Sequence, residues 1–342
     1  MPKKDTSPQR VDIGGQAVLE GVMMTAPDSI AIAVRKPDGS ICVKCDPYVS
    51  PAKKHKWMGW PVVRGAVNMV NMLVMGMNTL EASSRMLGVE EEEPTKFEKW
   101  LSKTFGKSID KIVMGVAIVL AVFLSVGLFM VIPSIFATLI NKVVKSLLVV
   151  NLCSGVVRIL ILIAYIWGCG KIPDMRRTFE YHGAEHKTVY CHEAGLELTP
   201  ENAKQFSTLH PRCGTSFLLI TMIIAILAGA VVDQLLHAIF GVERLTFLAR
   251  LARSIILLPL IAGVSYETLK GLAHSDNKLV RALRWPGLML QHLTTREPDE
   301  KQLEVAIASM KAALAGKKMP ETILGKDGAA EENAEDAPET NE

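Results

Sequence analysis

Four long apolar runs dominate the pattern of hydrophobic and polar positions along the chain. They cover residues 112–140, 146–169, 215–240 and 245–265. A helix needs about 20 mostly apolar residues to cross the hydrocarbon core of a bilayer, and each run reaches that length. The runs form two closely spaced pairs. The sequence therefore predicts a mainly α membrane protein with four transmembrane helices in two hairpins, at 112–169 and 214–265.

The polar segments around the hairpins have patterns of their own. Residues 1–58 contain two β-prone runs around a Pro-Asp-Gly turn at 37–39, which predict a small N-terminal β-hairpin. Residues 59–111 include an apolar helical stretch interrupted by asparagines, which favours an interfacial helix over a fifth span. Residues 266–313 predict C-terminal amphipathic helices. Residues 314–342 have few large apolar side chains and predict a disordered tail.

Charge adds an orientation to this architecture. The formal net charge is only +3, and acidic residues interleave with the basic ones, so nucleic-acid binding is not expected. Basic residues concentrate in the segment 170–213 and after the fourth run, which the positive-inside rule places in the cytoplasm. We expect a multi-pass protein of the cytoplasmic membrane with both termini and this His-containing loop domain inside. Its partners would be the lipid bilayer and an unknown substrate or cytoplasmic partner protein.

The segment 170–213 carries the clearest candidate chemistry. It contains His182-Gly-Ala-Glu185-His186, an H-x-x-E-H pattern typical of inverted zinc peptidases. On a helix, positions i and i+4 place both imidazoles on one face, where one divalent metal ion such as zinc can bind both. Glu185 then lies within reach of water at the metal as a general base. The alternative is a polar interfacial helix with two solvated histidines and a salt-bridged glutamate.

Further candidate residues lie on both sides of this motif. His210-Pro-Arg-Cys213 adds an imidazole and a thiol before the third run; His210 is the preferred third metal ligand, and Cys213 competes for that role. A buried small residue at a helix start is the alternative for Cys213. Glu20 is a second catalytic candidate, because a carboxylate in an apolar stretch needs a cation, a metal or a donor. Its alternative is an ion pair with Arg64 or another structural base.

Four stretches together resemble a known family. They are GGQAVLEGVMM (14–24), YHGAEHKTVYCHE (181–193), HPRCGTSF (210–217) and PGLMLQHLTTREPDEKQLEVAIASM (286–310). These stretches are similar to the YqhQ-type family of bacterial membrane proteins, over nearly the whole chain before the tail. The resemblance implies a domain of unknown function and a metal-dependent enzyme, with no substrate and no established catalytic residue. The chain lacks the large soluble α/β halves of H-x-x-E-H peptidases, so the motif alone does not imply peptide hydrolysis.

Three functions fit these patterns. The first is a metal-dependent enzyme, most simply a hydrolase, in which the three histidines bind a zinc-like ion and Glu185 activates water. The second is a non-catalytic membrane scaffold or assembly factor with a structural metal site. The third is a transporter, for which Arg158, Asp233 and His237 are the ionisable groups available in the spans.

The charge pattern generates a test of topology. An alkaline-phosphatase fusion placed after Arg177 should be inactive, because that reporter folds only after export to an oxidising compartment. A fusion in the loop at 241–244 is the matched control and should be active. An active fusion after Arg177 together with an inactive one in the loop would reverse the orientation.

Overall fold

An antiparallel sheet of five strands joins the N-terminal region to a segment near the C-terminus. In the computed structural model, residues 13–88, 109–241, 245–273 and 277–324 are described. The strands are β1 (Gly14–Val18), β2 (Gly21–Thr25), β3 (Ser29–Arg35), β4 (Ile41–Pro47) and β5 (Met319–Leu324). They lie in sequence order, each hydrogen-bonded to the next. β3 and β4 confirm the predicted hairpin, and Gly39 in its turn has φ +90°, which favours glycine.

Strand β5 corrects the prediction of a disordered tail over residues 314–342. The chain is helical to Ala315, and β5 pairs with β4 in a register that sets Ile41 against Leu324. For residues 319–324 the prediction was wrong, because an edge strand takes its hydrogen bonds from a sheet that already exists and needs no core of its own. Residues 325–342 lie outside the described part of the chain, as do residues 89–108 of the predicted region 59–111.

The helices occupy most of the remaining chain. They are α1 (Pro51–Lys54), α2 (Val63–Leu87), α3 (Ile109–Val126), α4 (Ile132–Val143), α5 (Leu147–Cys169), α6 (Pro173–Glu193), α7 (Pro200–Lys204), α8 (Gly214–Phe240), α9 (Phe247–Ala273), α10 (Lys278–Thr294) and α11 (Glu300–Ala315). A π-helical turn, Gly127–Val131, joins α3 to α4.

Four helical segments are long and apolar enough to cross a membrane. Among the described residues these are Gly115–Val143, Leu147–Cys169, Gly214–Phe240 and Phe247–Leu272. They confirm the four apolar spans predicted from the sequence. The first span widens into its π turn just before Pro133, which lies in the first turn of α4, where a missing N–H is tolerated. The second and third spans approach closely at Gly155, where a Cβ atom would overlap Ile226.

The sheet is covered on both faces, and this accounts for its strongly apolar strands. On one face, Val22, Met24 and Val43 pack with Tyr181 of α6 and with apolar residues of α11. On the other face, strand residues pack against Met86 near the end of α2. Successive strand residues alternate between the two cores, as the strand repeat of two requires. The predicted loop domain at 170–213 is thus largely helical, and it packs on the sheet.

Helix α2 connects this sheet to the membrane helices. It is not one of the helices apolar enough to span a membrane, and it packs against β3 and α9. The backbones of α2 and α9 touch at Gly65 and Gly263: a Cβ on Gly65 would lie 2.7 Å from the Cα of Gly263. Arg64 forms an ion pair with Glu267 of α9 at 2.5 Å. A location of α2 at the membrane interface remains a prediction.

The close contact between α2 and α9 predicts a destabilising substitution. A Cβ on Gly263 would overlap the backbone of Val62, which cannot move aside as a side chain can. Gly263→Ala should therefore destabilise the protein by about 1–3 kcal/mol, seen as a lower melting temperature in detergent. The matched control is Gly271→Ala in the same helix, where no atom lies within 4 Å of the added Cβ. Equal melting temperatures for the two variants would contradict the close contact.

Candidate metal centre

Helix α6 carries the whole His-x-x-Glu-His motif, as the spacing predicts. The motif lies in the second half of the helix, which is buried between the sheet, α7 and α11. Glu185 is 6% exposed and His186 is 2% exposed. Buried polar side chains need partners, so this burial excludes the alternative of two solvated histidines on an interfacial helix.

Three possible metal-ligating side chains meet at one point. Ligand atoms of His182, His186 and Cys213 all lie within 4.8 Å of one another, and His182 Nε2 is 3.2 Å from Cys213 Sγ. Cys213 is the N-cap of α8, and its sulfur accepts a hydrogen bond from the N–H of Thr215. The thiol therefore lies at the start of an apolar helix and directly beside the imidazole of His182.

Two backbone carbonyl groups orient the imidazoles. His182 Nδ1 lies 2.8 Å from the carbonyl oxygen of Thr294, and His186 Nδ1 contacts the carbonyl oxygen of Thr208. A carbonyl oxygen only accepts, so each Nδ1 must be the protonated donor. Burial lowers the pKa of His186, which keeps its ring neutral. Each ring then directs its Nε2 atom away from its carbonyl partner and toward the thiol of Cys213.

Glu185 lies beside this group, against strand β1. Its Oε2 atom is 3.4 Å from His186 Nε2, and the backbone N–H of Gly15 donates a hydrogen bond to its carboxylate. Burial raises the pKa of Glu185, while positive charge on His182 or His210 would lower it. A Cβ on Gly15 would lie 2.6 Å from Glu185 Cγ. Glycine is therefore required for the strand to approach the carboxylate this closely.

His210, the preferred third ligand from the sequence, lies next to the group but not in it. Its ring is 5.6 Å from that of His186 and 4.6 Å from that of Tyr190. Its Nε2 atom is 3.6 Å from a carboxylate oxygen of Glu193 and makes no hydrogen bond with the described part of the chain. Burial lowers the pKa of His210. The geometry favours Cys213 over His210 as the third ligand.

Glu20, the second catalytic candidate, is not brought to this group. It occupies the β1–β2 turn with φ 48° and forms two hydrogen bonds of 2.5 Å with the guanidinium of Arg177. The hydroxyl of Tyr181 lies 3.4 Å from the same carboxylate. Glu20 therefore forms an ion pair with a structural base, which was the alternative to a catalytic role, and the base is Arg177 and not Arg64. Glu20 fixes the turn of the sheet to the first half of α6.

Sequence reasoning missed several residues that support the site. The pair Gly14-Gly15 was a sequence signal for the close approach of strand β1 to Glu185. A Cβ on Gly183 would overlap the carbonyl oxygen of Arg296, so this glycine lets the chain after α10 lie against α6. Lys187 donates to the carbonyl oxygens of Lys204 and Phe206 at 2.8 and 2.7 Å, which secures the chain leading to Thr208.

Gln291 is the other missed residue, and no local pattern pointed to it. It is 0% exposed and exchanges two hydrogen bonds of 2.8 Å with the backbone of His210. Its amide also donates to Ser216 Oγ at 2.9 Å. Gln291 therefore holds the 210–216 turn, and with it Cys213, against α10.

Comparison with known proteins identifies a family but no activity. A family model described as "Protein of unknown function (DUF1385)" matches residues 60–316. "Uncharacterized protein YqhQ" of Bacillus subtilis (strain 168) is 32% identical over 311 residues, which cover 88% of this chain and 92% of the relative. No solved structure matches. The chain therefore belongs to the DUF1385, or YqhQ-type, family of proteins of unknown function.

Proposed function

We propose that this protein is a membrane-embedded, metal-dependent enzyme, most simply a hydrolase, with its site at the cytoplasmic membrane face. The observation that carries the proposal is the orientation of the two imidazoles. Each donates its Nδ1–H to a main-chain carbonyl and turns its Nε2 toward the Cys213 thiol. Metal-ligating histidines usually donate their second ring N–H in this way, which fixes the tautomer and strengthens the ligand.

The donor set fits a zinc-like ion. Two imidazole nitrogens and one thiolate are ligands that zinc prefers, whereas magnesium and calcium prefer oxygen donors. Three protein ligands leave one position of a tetrahedral ion for water or substrate, as in catalytic zinc sites. A bound ion would supply a Lewis acid at that open position.

Glu185 is the general base in this proposal. Its carboxylate is buried next to the three ligands and is held by the Gly15 N–H, so its position is set before substrate arrives. The burial that raises its pKa makes the carboxylate a better proton acceptor. Its role is to accept a proton from the attacking water at a carboxylate oxygen.

The substrate is expected at the membrane surface. Cys213 caps α8, the third apolar span, so the site lies where that span begins. The proposed arrangement has the spans in two hairpins and both termini in the cytoplasm, as the basic residues of the segment 170–213 favour. A substrate in or on the inner leaflet would then meet the site without crossing the membrane.

The second candidate function is a scaffold with a structural metal site. One observation favours it: the buried His210 Nε2 has no hydrogen-bond partner in the described residues and lies one ring away from His186. A modest movement of this side chain would add a fourth protein ligand and close the site. Structural zinc sites are closed in this manner and contribute to folding.

The proposal predicts how metal content responds to substitution. Protein purified without chelator should hold about one zinc-like ion per chain. His182→Ala, His186→Ala and Cys213→Ala should each lose most of it, because a three-ligand site loses most of its affinity with one ligand. Inductively coupled plasma mass spectrometry measures the content. The matched control is His192→Ala, which removes a histidine of the same helix that lies outside the group.

His210→Ala separates the two ligand sets. It should keep the ion if Cys213 is the third ligand and lose it if His210 is. Cobalt substitution adds a direct readout, because a sulfur-to-cobalt charge-transfer band should appear in the wild type and disappear in Cys213→Ser. An absence of metal in the wild-type protein would contradict both the enzyme and the structural-site proposals.

Substitution of Glu185 separates an enzyme from a scaffold. Glu185→Gln keeps the size and the Gly15 contact but cannot accept a proton, so metal content should be unchanged while function falls by at least about 100-fold. Function is measured by complementation of a strain lacking the gene. Asp174→Asn, in the first turn of the same helix and far from the motif, is the control. Full complementation by Glu185→Gln would favour the scaffold.

A further inference from the structure

A polar cavity lies between the membrane helices, away from the histidine site. Its volume is about 30 Å³. All four spans contribute to its walls: Ala137 from the first, Arg158 from the second, Asp233 from the third, and Arg250 and Arg253 from the fourth. Three guanidinium groups and one carboxylate in such a place are costly and usually functional.

The single carboxylate of this cavity is already paired. Asp233 forms an ion pair with Arg253 and accepts a hydrogen bond from Asn151 at 3.1 Å. Arg253 also donates to the carbonyl oxygen of Gly229 at 3.1 Å. A Cβ on Gly229 would lie 3.3 Å from an Arg253 nitrogen, so glycine gives the guanidinium its room. This pair is a complete unit with its own hydrogen bonds.

Arg158 has no such partner among the described residues. Its Nε atom is buried and makes no hydrogen bond there, and the cavity around it holds two further cations, Arg250 and Arg253, beside the carboxylate of Asp233. It is eleven residues from either end of α5, or roughly 16 Å at the helical rise, which places it near the middle of the span. A half-buried cation at that depth of a membrane span is costly without an anion beside it.

The cavity is closer to one end of the bundle. Arg253 is six residues after the start of α9, and Asp233 is seven residues before the end of α8, roughly 10 Å from those helix ends. Cys213 lies at the opposite end of α8. The cavity therefore occupies the half of the membrane away from the histidine site and is distinct from it.

We propose that this cavity is an anion site that takes an oxygen of a phosphate group, from a lipid headgroup or from free phosphate, with Arg158 as its principal donor. The planar guanidinium matches phosphate oxygens in charge and geometry. The cavity of about 30 Å³ has room for two or three oxygen-sized groups, since a water molecule needs about 10–15 Å³ by this measure.

The test measures binding to the full-length protein in detergent. Short-chain phosphatidylglycerol, short-chain phosphatidylcholine, inorganic phosphate and sodium chloride at matched ionic strength are each titrated while the melting temperature is followed. We expect phosphatidylglycerol or inorganic phosphate to raise the melting temperature. Phosphatidylcholine, whose phosphate is neutralised by its own choline cation, and chloride should have little effect. A response to the lipid alone identifies a headgroup site, and a response to inorganic phosphate identifies a free-anion site.

Substitution assigns the response to Arg158. Arg158→Gln should weaken binding by about tenfold or more, because a charge-assisted hydrogen bond is lost. Arg158→Lys keeps the charge but lacks the planar guanidinium that can donate two hydrogen bonds to one phosphate, so it should bind with intermediate affinity. The control is Lys171→Gln, which removes a cation that lies over Trp167 at the other end of α5. It should bind like the wild type.

Two results would overturn the proposal. One is an equal response to chloride and to phosphate in the wild type, which would mean screening without a site. The other is the absence of any response of the wild type to phosphatidylglycerol and to inorganic phosphate, as expected if the cavity holds only water. Arg158→Gln shortens the side chain by two atoms, so Arg158→Lys, which keeps the charge, is the second variant if the glutamine variant folds poorly.

Discussion

The carbonyl groups of Thr208 and Thr294 fix which ring nitrogen of each imidazole is the hydrogen-bond donor and which one faces Cys213. The candidate chemistry depends on that orientation. Both carbonyls belong to segments outside α6. The histidines therefore acquire these tautomers only when the segments that carry Thr208 and Thr294 have folded against this helix. Lys187 holds the first segment through its contacts with Lys204 and Phe206. The backbone N–H of Arg296 holds the second by donating to the carbonyl oxygen of Phe179.

Each polar residue of the H-x-x-E-H stretch, and its glycine, therefore makes a specific contact. His182 and His186 face Cys213, Gly183 makes room for the backbone at Arg296, and Glu185 reaches the strand at Gly15. Lys187, directly after the motif, is buried and paired with Glu297 at 2.7 Å. A buried lysine is costly unless it is paired, so this ion pair helps to define how the chain after α10 lies on α6.

Local sequence patterns predicted the helices and strands, whereas long-range contacts determine which side chains come together at the candidate site. The spans, the β3–β4 hairpin and the motif helix could be predicted because length, alternation and i, i+4 spacing are properties of neighbouring residues. The choice between His210 and Cys213 could not, because it depends on Gln291, 81 positions from His210, which ties down that backbone. Glu20 depends in the same way on Arg177, 157 positions away. Strand β5 was missed because its stability comes from β4.

The third span links the candidate site to the membrane. Cys213 caps this helix, and Ser216, at its first turn, accepts a hydrogen bond from Gln291, which also holds the backbone of His210. Gly287 of α10 lies so close to this turn that a Cβ would be 2.8 Å from Ser216 Oγ. A metal ion bound through Cys213 would thus join α6 to the start of a membrane helix. Helix α6 itself packs on the sheet and on α11, so the ion would also couple the sheet to the membrane helix. Loss of metal should therefore loosen the contact between α6 and the start of α8 before it affects the packing of the membrane helices.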